Sequence, residues 1–302
     1  TTSPHLLDIC ERIRVNKENI DKEAFKRLFK KIENNLSTLK LSPFEKIICC
    51  ALEFFDLKKV DLLILEAGLG GRLDATTAHS LRPIIAIGNI GLDHKEYLGD
   101  SIEKIAEEKV AVIEKNAFVV TCNQNLKVEE IIKKRAKEVG AQILWKESLS
   151  NNYELGLKGN FQKQNAAVAV GVIEALNNLR FTVKECSIKK GLKNTKWNGR
   201  LEVISIANKK ILVDSAHNYT AAKALAAVTP FARVCMNDSC EDVLLFNCST
   251  FLPSAPDKPS EPSTTSSRPS LNFLCDSTWS FTPLVAFFCA SSNACDIEEA
   301  PP

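Results

Sequence analysis

Two apolar runs of the chain each lead directly into residues that can carry chemistry. Residues 61–65 deliver Glu66 into a glycine-rich turn, residues 67–76, and residues 83–90 lead to Asp93 and His94. Continuous apolar strands that alternate with helices are typical of a parallel sheet covered on both faces. The carboxyl ends of such strands are where α/β proteins place their sites. We therefore predict an α/β fold with a candidate site at this sheet edge.

The hydrophobic pattern predicts the elements around these two runs. Strands are expected at residues 61–66, 83–90 and 117–122, and helices at 22–34, 42–55, 101–115 and 125–139. A second unit is expected to begin near residue 158 with a helix over 162–179, then a pair of strands at 201–204 and 210–213 and the start of a helix at 220–227.

Composition limits the class of protein. A length of 302 residues predicts two domains, and 45% hydrophobic with 25% charged residues is typical of a soluble globular protein. A net charge of +2 implies no general attraction to nucleic acid or to an anionic membrane. No apolar run approaches the ~18 residues of a membrane span, and no signal peptide opens the chain. We expect a cytoplasmic monomer.

The composition changes near residue 230. All 12 glycines lie before this point, and 8 of the 12 prolines lie after it. Residues 253–270 are rich in proline and serine and cannot bury enough apolar surface to offset chain entropy, so we predict a disordered tail over 231–302. Of the 11 cysteines, the five before residue 230 lie mostly in apolar settings, where a free cysteine acts as a small hydrophobe.

Several separate motifs resemble, in the same order, those of the folylpolyglutamate synthase and dihydrofolate synthase family of the Mur ligase superfamily. The resemblance runs from about Thr2 to about Val228. The motifs are TSPH at 2–5, GLGGRLD at 68–74, GNFQ with Asn165 at 159–165, WNGRLE at 197–202 and DSAHN at 214–218. The resemblance implies a parallel-sheet Mur-ligase-type central domain over residues 1–150 and the start of a smaller α/β C-terminal ligase domain over 151–230.

The chemistry of the residues and the resemblance together point to a metal site. A carboxylate and an imidazole, Glu66 and His94, are competent ligands for a divalent cation, and phosphate oxygens can complete the shell of Mg²⁺. Singly, Glu66 is equally suited to cap a turn and His94 to be a satisfied polar residue at a strand end. The resemblance assigns both to a second metal site, assigns the hydroxyl of Ser3 to the other metal site, and implies a carbamylated Lys109 that helps to hold the metal. We expect Glu66, His94 and Lys109 to converge around one magnesium ion.

The resemblance also implies the remaining site residues. Asn165, Arg200, Asp214 and His217 would contact ATP, with Asp214 and His217 counted with His94 and Lys109 as catalytic. The segment containing Ser42, Phe44 and Glu45 resembles a pterin-binding stretch, in which Phe44 would stack on a flat ring. The glycine-rich turn, with Arg72 and Asp74, either shapes the substrate pocket or is only a tight exit from a strand. The turn is not a Walker P-loop, since no Gly-Lys-Ser/Thr follows it.

The implied activity is an ATP-dependent ligase that joins L-glutamate to dihydropteroate or to a folate through an acyl phosphate. ATP and Mg²⁺ are the implied cofactors, with K⁺ as a further cation. The family's P-loop would precede Thr1, so we expect a chain that starts after its phosphate-binding loop, departs from the family after residue 230, and has poor or no activity alone. Two alternatives are a Mur-type ligase acting on a cell-wall nucleotide precursor and a catalytically inactive fragment.

Overall fold

The computed structural model describes residues 1–78, 81–179, 181–206, 209–216, 221, 224–225, 243–247 and 298–299. The described residues divide into two compact units: the first contains those of Thr1–Lys196 with the strand at 298–299, and the second those of Trp197–Trp279. The division follows Lys196 rather than residue 150, because the helix that begins at Phe161 packs on the sheet of the first unit.

The first unit alternates helices and strands along the chain. Its helices are α1 (Lys22–Asn35), α2 (Pro43–Lys58), α3 (Lys95–Leu98), α4 (Ile102–Val110), α5 (Leu126–Val139), α6 (Phe161–Asn177) and α7 (Glu185–Asn194), with 3-10 turns at Ile9–Arg12 and Ala75–Ala78. Its strands are β1 (Arg14–Val15), β2 (Glu18–Asn19), β3 (Ile84–Ile87), β4 (Phe118–Cys122), β5 (Gln142–Lys146), β6 (Phe181–Thr182) and β10 (Glu298–Glu299).

The central sheet is parallel and covered on both faces, as the sequence predicts. Its strand order is β3-β4-β5, and both strand pairs are parallel. On one face, Ile85 and Val119 pack with α4 and α5. On the other face, Val120 and Cys122 pack against Val168 of α6. The polar residues that follow β3 and β4 therefore emerge at one edge of the sheet.

A separate hydrophobic cluster joins α1 and α2 near the start of the chain. Both helices were predicted within a few residues, and their starts are capped: Asp21 accepts from the N–H of Ala24, and Ser42 accepts from that of Glu45. Leu28 and Phe55 are buried between the two helices, with Cys10 and Cys50 in the same cluster. Burial raises the pKa of the Cys50 thiol to about 12, as expected for a cysteine that acts as a core residue.

Two predicted elements differ from the structure. The prediction of a strand at 61–66 is wrong, since none is assigned there. Leu62 and Leu63 instead pack into different hydrophobic clusters. The helix predicted over 101–115 ends at Val110. It ends because the carbonyl of Glu108 accepts from the N–H of Arg72 instead of from the next helical turn. The N–H of Ile113 then donates to the carbonyl of Val110, three residues back, where an α-helix would use the residue four back.

The second unit contains a three-stranded sheet in the order β7-β8-β9, formed by β7 (Glu202–Ile206), β8 (Lys209–Asp214) and β9 (Val243–Asn247). The predicted pair of strands is confirmed, since β7 and β8 are antiparallel neighbours. His217, most of the helix predicted at 220–227 and nearly all of the predicted tail lie outside the described residues. No helix within the described ranges has the length and apolar character needed to cross a bilayer.

Candidate functional site

The glycine-rich turn is organised by one buried carboxylate. Oδ2 of Asp74 accepts from the N–H groups of Gly68 and Leu69 at 2.8 and 2.9 Å. Its Oδ1 accepts from the N–H and the hydroxyl of Thr76 at 2.9 and 2.6 Å. Asp74 is only 8% exposed, and four hydrogen bonds match the usual acceptor capacity of a carboxylate. The structure thus shows Asp74 shaping the turn, while its contact with substrate remains a prediction.

The turn is fixed on both sides by close contacts that only glycine allows. A Cβ on Gly68 would lie 2.8 Å from Cζ of Phe44, so the aromatic ring of α2 lies directly against this glycine. A Cβ on Gly71 would lie 2.8 Å from the carbonyl oxygen of Glu108 and 3.0 Å from that of Lys109. The predicted substrate residue Phe44 and the predicted catalytic residue Lys109 are therefore positioned by the same rigid turn.

Three other predicted substrate residues have structural partners. Ser42 and Glu45 form a reciprocal capping box at the start of α2, in which Oε2 of Glu45 accepts from the N–H of Ser42 at 2.6 Å. Arg72 forms an ion pair with Glu108, with Nε 2.9 Å from Oε1. These contacts hold α2 and the turn in place, and a direct role in substrate binding stays a prediction for all three.

Ser3 and Glu66 lie together although 63 positions separate them. The N–H of Ser3 donates to Oε2 of Glu66 at 2.8 Å. The two predicted metal ligands from the TSPH motif and from the end of the first apolar run are thus in direct contact. Sequence spacing alone does not reveal this long-range contact, and the metal-binding role of both residues stays a prediction.

His94 lies at the start of α3, just beyond the end of β3. It is 7% exposed and has a left-handed backbone with φ of +49°. Oδ1 of Asp93 accepts from the N–H of His94 at 3.0 Å, and Oδ2 of Asp93 lies 4.0 Å from Nε2 of the imidazole. Asp93 received no role from the sequence, although its place directly before a histidine at a strand end was a usable signal.

Lys109 is half-buried on α4 and lies within electrostatic range of two carboxylates. Burial lowers the pKa of Lys109 below its ordinary value, and the carboxylates of Asp93 and Asp74 oppose this shift. The structure thereby brings Lys109 near Asp93, the neighbour of His94. Within the described part of the chain, no group of three or more His, Cys, Asp or Glu side chains is arranged to hold a metal ion. The predicted convergence of Glu66, His94 and Lys109 on one ion stays a prediction.

Lys109→Met is expected to change how stability depends on pH. Because the folded-state pKa of Lys109 lies below its unfolded value of about 10.4, the unfolded chain binds more protons between these two values. Wild-type stability should therefore rise with pH across that window, whereas below it both states carry the proton and the burial penalty is constant. The variant should be more stable than wild type at pH 7, and this advantage should shrink toward pH 10.

Urea unfolding between pH 7 and pH 10 with carbon dioxide excluded measures this difference. The matched control is Lys115→Met, which changes an exposed lysine six residues beyond Lys109. If the advantage of Lys109→Met over wild type stayed constant across the whole pH range, burial of the Lys109 charge would not be its source.

The second unit contains a turn closed by Asp214. Its Oδ2 accepts from the N–H of Leu201 at 2.9 Å, and its Oδ1 accepts from that of Ala216 at 2.8 Å. The N–H of Ser215 donates to the carbonyl of Gly199 at 3.0 Å, and Nη1 of Arg200 donates to the Ser215 hydroxyl. Asp214 and Arg200 thus belong to the same turn, and Asp214 itself is 6% exposed. Their contact with a nucleotide stays a prediction.

Asn165 lies near the start of α6 beside a mostly apolar, partly open pocket. Its Nδ2 donates to Oε1 of Gln162 at 3.0 Å. Three polar side chains line this pocket: Gln162, Asn165 and Thr195. The other lining residues are aliphatic: Leu155, Leu157, Ala166, Ala169 and Leu192. A flat apolar ring with polar edges is the kind of group that such a lining accommodates.

Comparison with known proteins agrees with the motifs. Folylpolyglutamate synthase of Candida albicans is 31% identical over 283 residues, which cover 82% of this chain and 55% of that protein. A probable dihydrofolate synthetase of Schizosaccharomyces pombe is 32% identical over 267 residues, covering 81% of this chain and 64% of that protein. The chain belongs to the folylpolyglutamate and dihydrofolate synthase family. It spans about half to two thirds of the length of these relatives. No protein-family model matches it.

Solved structures of this family share the fold. Folylpolyglutamate synthase of Mycobacterium tuberculosis, complexed with ADP and AMPPCP, is 27% identical with a TM-score of 0.69, covering 76% of this chain and 59% of that one. The apo form of the L. casei enzyme has a TM-score of 0.72 at 22% identity, covering 84% and 73%. The α/β Mur-ligase-type fold predicted from the sequence is therefore confirmed.

Proposed function

We propose that the protein is an ATP-dependent ligase that joins L-glutamate to dihydropteroate or to a folate. Family membership supports this activity. The observation that carries the proposal is the glycine-rich turn, which contacts the ring of Phe44 on one side and the carbonyls of Glu108 and Lys109 on the other. One rigid element thereby fixes the distance between Phe44, the proposed ring-stacking residue, and the candidate metal site. A substrate with a pterin ring at one end and a reacting carboxylate at the other needs such a fixed distance.

The proposed reaction has two steps. A carboxylate oxygen of the pterin substrate attacks the γ-phosphorus of ATP, the bond to the bridging oxygen breaks, and ADP leaves. The amine of glutamate then attacks the carbonyl carbon of the acyl phosphate, expels phosphate, and loses a proton as the amide forms. Little covalent chemistry falls to the protein in such a reaction, so its side chains act through positioning and charge.

The donor set suits a hard divalent cation. Glu66 supplies a carboxylate beside Ser3, and His94 supplies a buried imidazole. Lys109 would add an anionic ligand after carbamylation, in which the neutral amine attacks the carbon of CO₂, an N–C bond forms and a proton is released. Its lowered pKa favours the neutral amine that this step needs. Ser3 at one site and Glu66, His94 and Lys109 at the other would hold Mg²⁺ ions, which when bound neutralise the charge of the transferred phosphate.

Four residues are candidates for contacts with the nucleotide: Asn165, Arg200, Asp214 and His217. Asn165 borders an apolar cavity, where its amide can pair with the polar edge of an adenine while leucine side chains contact the ring faces. Arg200 is suited to a phosphate because its guanidinium presents parallel N–H groups. Asp214 and His217 would complete the nucleotide contacts, with Asp214 holding the turn that carries Arg200.

Calorimetric titration of the 302-residue chain with single ligands tests the proposed substrate class. Folate, dihydropteroate, ATP with Mg²⁺ and a UDP-linked muramoyl peptide are compared, followed by an assay for glutamate-dependent ADP release. Binding of folate or dihydropteroate supports the proposal, and release of ADP that needs both substrates establishes it. Binding of the muramoyl nucleotide alone favours a cell-wall ligase and overturns it, as does failure of every pterin to bind.

Phe44→Leu is expected to weaken binding of folate or dihydropteroate. Stacking between aromatic rings contributes about 0.5–1.5 kcal/mol beyond area burial, so the dissociation constant should rise about 2- to 12-fold. Leucine keeps an apolar contact for Gly68, which limits the damage to the turn. The matched control is Phe54→Leu on the same helix, where the ring contacts Phe55 and Lys58 instead. Equal effects of the two variants on pterin affinity would contradict a stacking role for Phe44.

A further inference from the structure

One side-chain amide joins the carboxyl ends of β3 and β4. Oε1 of Gln124 accepts from the N–H of Ile90 at 2.9 Å. Its Nε2 donates to the carbonyl oxygen of Gly88 at 2.7 Å and to the hydroxyl of Thr121 at 3.1 Å. The last register pair of the two strands is Ile87 with Thr121. The side-chain amide of Gln124 therefore acts like one more peptide group of β4 and continues the hydrogen bonding between β3 and β4 beyond their last backbone pair.

The backbone that Gln124 holds leads directly to Asp93 and His94, which we call the Asp93–His94 corner. Ile90 is 4% exposed and belongs to the core between the sheet, α4 and α5. Only Gly91 and Leu92 separate it from Asp93, and His94 then begins α3 with a left-handed backbone. A connection this short transmits the position of Ile90 to the corner, because few rotatable bonds lie between them.

The amide is suited to this task because each of its polar groups has a partner. An amide side chain offers one acceptor oxygen and two N–H donors, and the three contacts above use both kinds of group. A carboxylate at this position would place a second oxygen against the carbonyl of Gly88, and an apolar side chain would leave the N–H of Ile90 and the carbonyl of Gly88 without this partner. The geometry therefore requires glutamine chemistry and not merely a side chain of this size.

We infer that Gln124 is a positioning residue for the Asp93–His94 corner. Its hydrogen bonds go to Ile90, Gly88 and Thr121, and it acts by fixing the backbone that leads to His94 and to Asp93, whose carboxylate lies within electrostatic range of Lys109. The consequence for metal binding rests on the function proposed above. Partners that orient a metal ligand from behind commonly change metal affinity about 10- to 100-fold when they are replaced.

Gln124→Met tests the inference without reference to activity. The variant keeps the length of the side chain and removes the hydrogen bonds to Ile90, Gly88 and Thr121. Amide hydrogen exchange should become faster over residues 88–94, and the ring resonances of His94, assigned with His94→Gln, should shift in NMR spectra. Gln142→Met is the matched control, since it makes the same change at an exposed position of β5. Unchanged exchange and unchanged His94 resonances in Gln124→Met would overturn the inference.

A second measurement separates positioning from a general loss of stability. Titration with Mn²⁺, followed by electron paramagnetic resonance, should show a dissociation constant about 10- to 100-fold higher for Gln124→Met than for wild type. Leu28→Ala, which weakens the core between α1 and α2, should leave it unchanged. Equal affinity of Gln124→Met and wild type for Mn²⁺ would overturn the inferred effect of Gln124 on metal binding. Absence of Mn²⁺ binding in wild type would refute the proposed metal site, and exchange and His94 resonances would still decide the role of Gln124.

Discussion

Replacing Asp74 with alanine is expected to lower the free energy of unfolding by about 3–5 kcal/mol, because each buried donor left without an acceptor costs about 1–3 kcal/mol. The carboxylate is 8% exposed and accepts from three backbone N–H groups and one hydroxyl. Alanine leaves the donors of Gly68, Leu69 and Thr76 facing a small apolar group. Chemical unfolding monitored by circular dichroism gives the difference in stability. Pterin binding should be lost with it, since the turn contacts Phe44.

Two further variants identify the source of this loss. Asp74→Asn keeps the shape of the side chain but turns its NH₂ group toward one pair of donors, either those of Gly68 and Leu69 or the two of Thr76. It should therefore lose roughly half as much stability as Asp74→Ala. Asp56→Ala removes an exposed carboxylate that pairs with Lys59 across one helical turn, and should change stability by less than about 0.5 kcal/mol. Equal stability of Asp74→Asn and wild type would contradict the acceptor role assigned to both oxygens.

Local signals in the sequence were sufficient for the elements that depend on local chemistry. The start of α2 was readable because Ser42, Pro43 and Glu45 together specify a helix cap, and the structure shows the reciprocal capping bonds. The strand pair β7 and β8 was readable from its two short apolar runs. β5 and α7 were not predicted: the side chains of Gln142 and Lys146 obscure the apolar centre of β5, and α7 buries only Ile188 and Leu192 completely.

The strand wrongly predicted at 61–66 shows where such reasoning stops. An apolar run indicates burial, but a strand also needs a neighbour for its ladder of hydrogen bonds. Here Leu62 packs toward α6 and α7 while Leu63 packs toward α1 and α2, so the run is apolar because it passes between two cores. Periodicity cannot separate this situation from a buried strand, since both place apolar side chains on two sides.

The candidate site was only partly readable for a similar reason. We could predict Glu66, His94 and Lys109 because their side chains can bind metal and because the motifs of the chain occur in the same order as those of the family. Asp93 and Gln124 act through contacts between segments that lie far apart in the sequence, such as the 34-residue separation between Ile90 and Gln124. An amide two residues beyond a strand has no distinctive pattern, and its role follows only from the three partners that the fold places around it.

Gly71→Ala is expected to displace the glycine-rich turn from α4 and to weaken metal and pterin binding together. A Cβ at this position would lie 2.8 Å from the carbonyl oxygen of Glu108 and 3.0 Å from that of Lys109. Both atoms are backbone in the last turn of a helix, so they cannot move aside as a flexible side chain can. Overpacking of this kind costs about 1–3 kcal/mol, and here it should also break the 3.1 Å hydrogen bond from the N–H of Arg72 to Glu108.

The double variant Gly71→Ala/Val112→Ala shows which neighbour causes the effect. Cγ1 of Val112 would be the nearest atom to the new methyl group, at 2.6 Å, and Val112→Ala removes it. Because the two carbonyl oxygens remain, the double variant should recover little of the binding lost in Gly71→Ala, once the effect of Val112→Ala alone is subtracted. Full recovery would mean that a side-chain contact, and not the backbone of α4, sets the position of the turn. In that case the turn would not fix Lys109 relative to Phe44, and the geometric basis of the proposed ligase site would be lost.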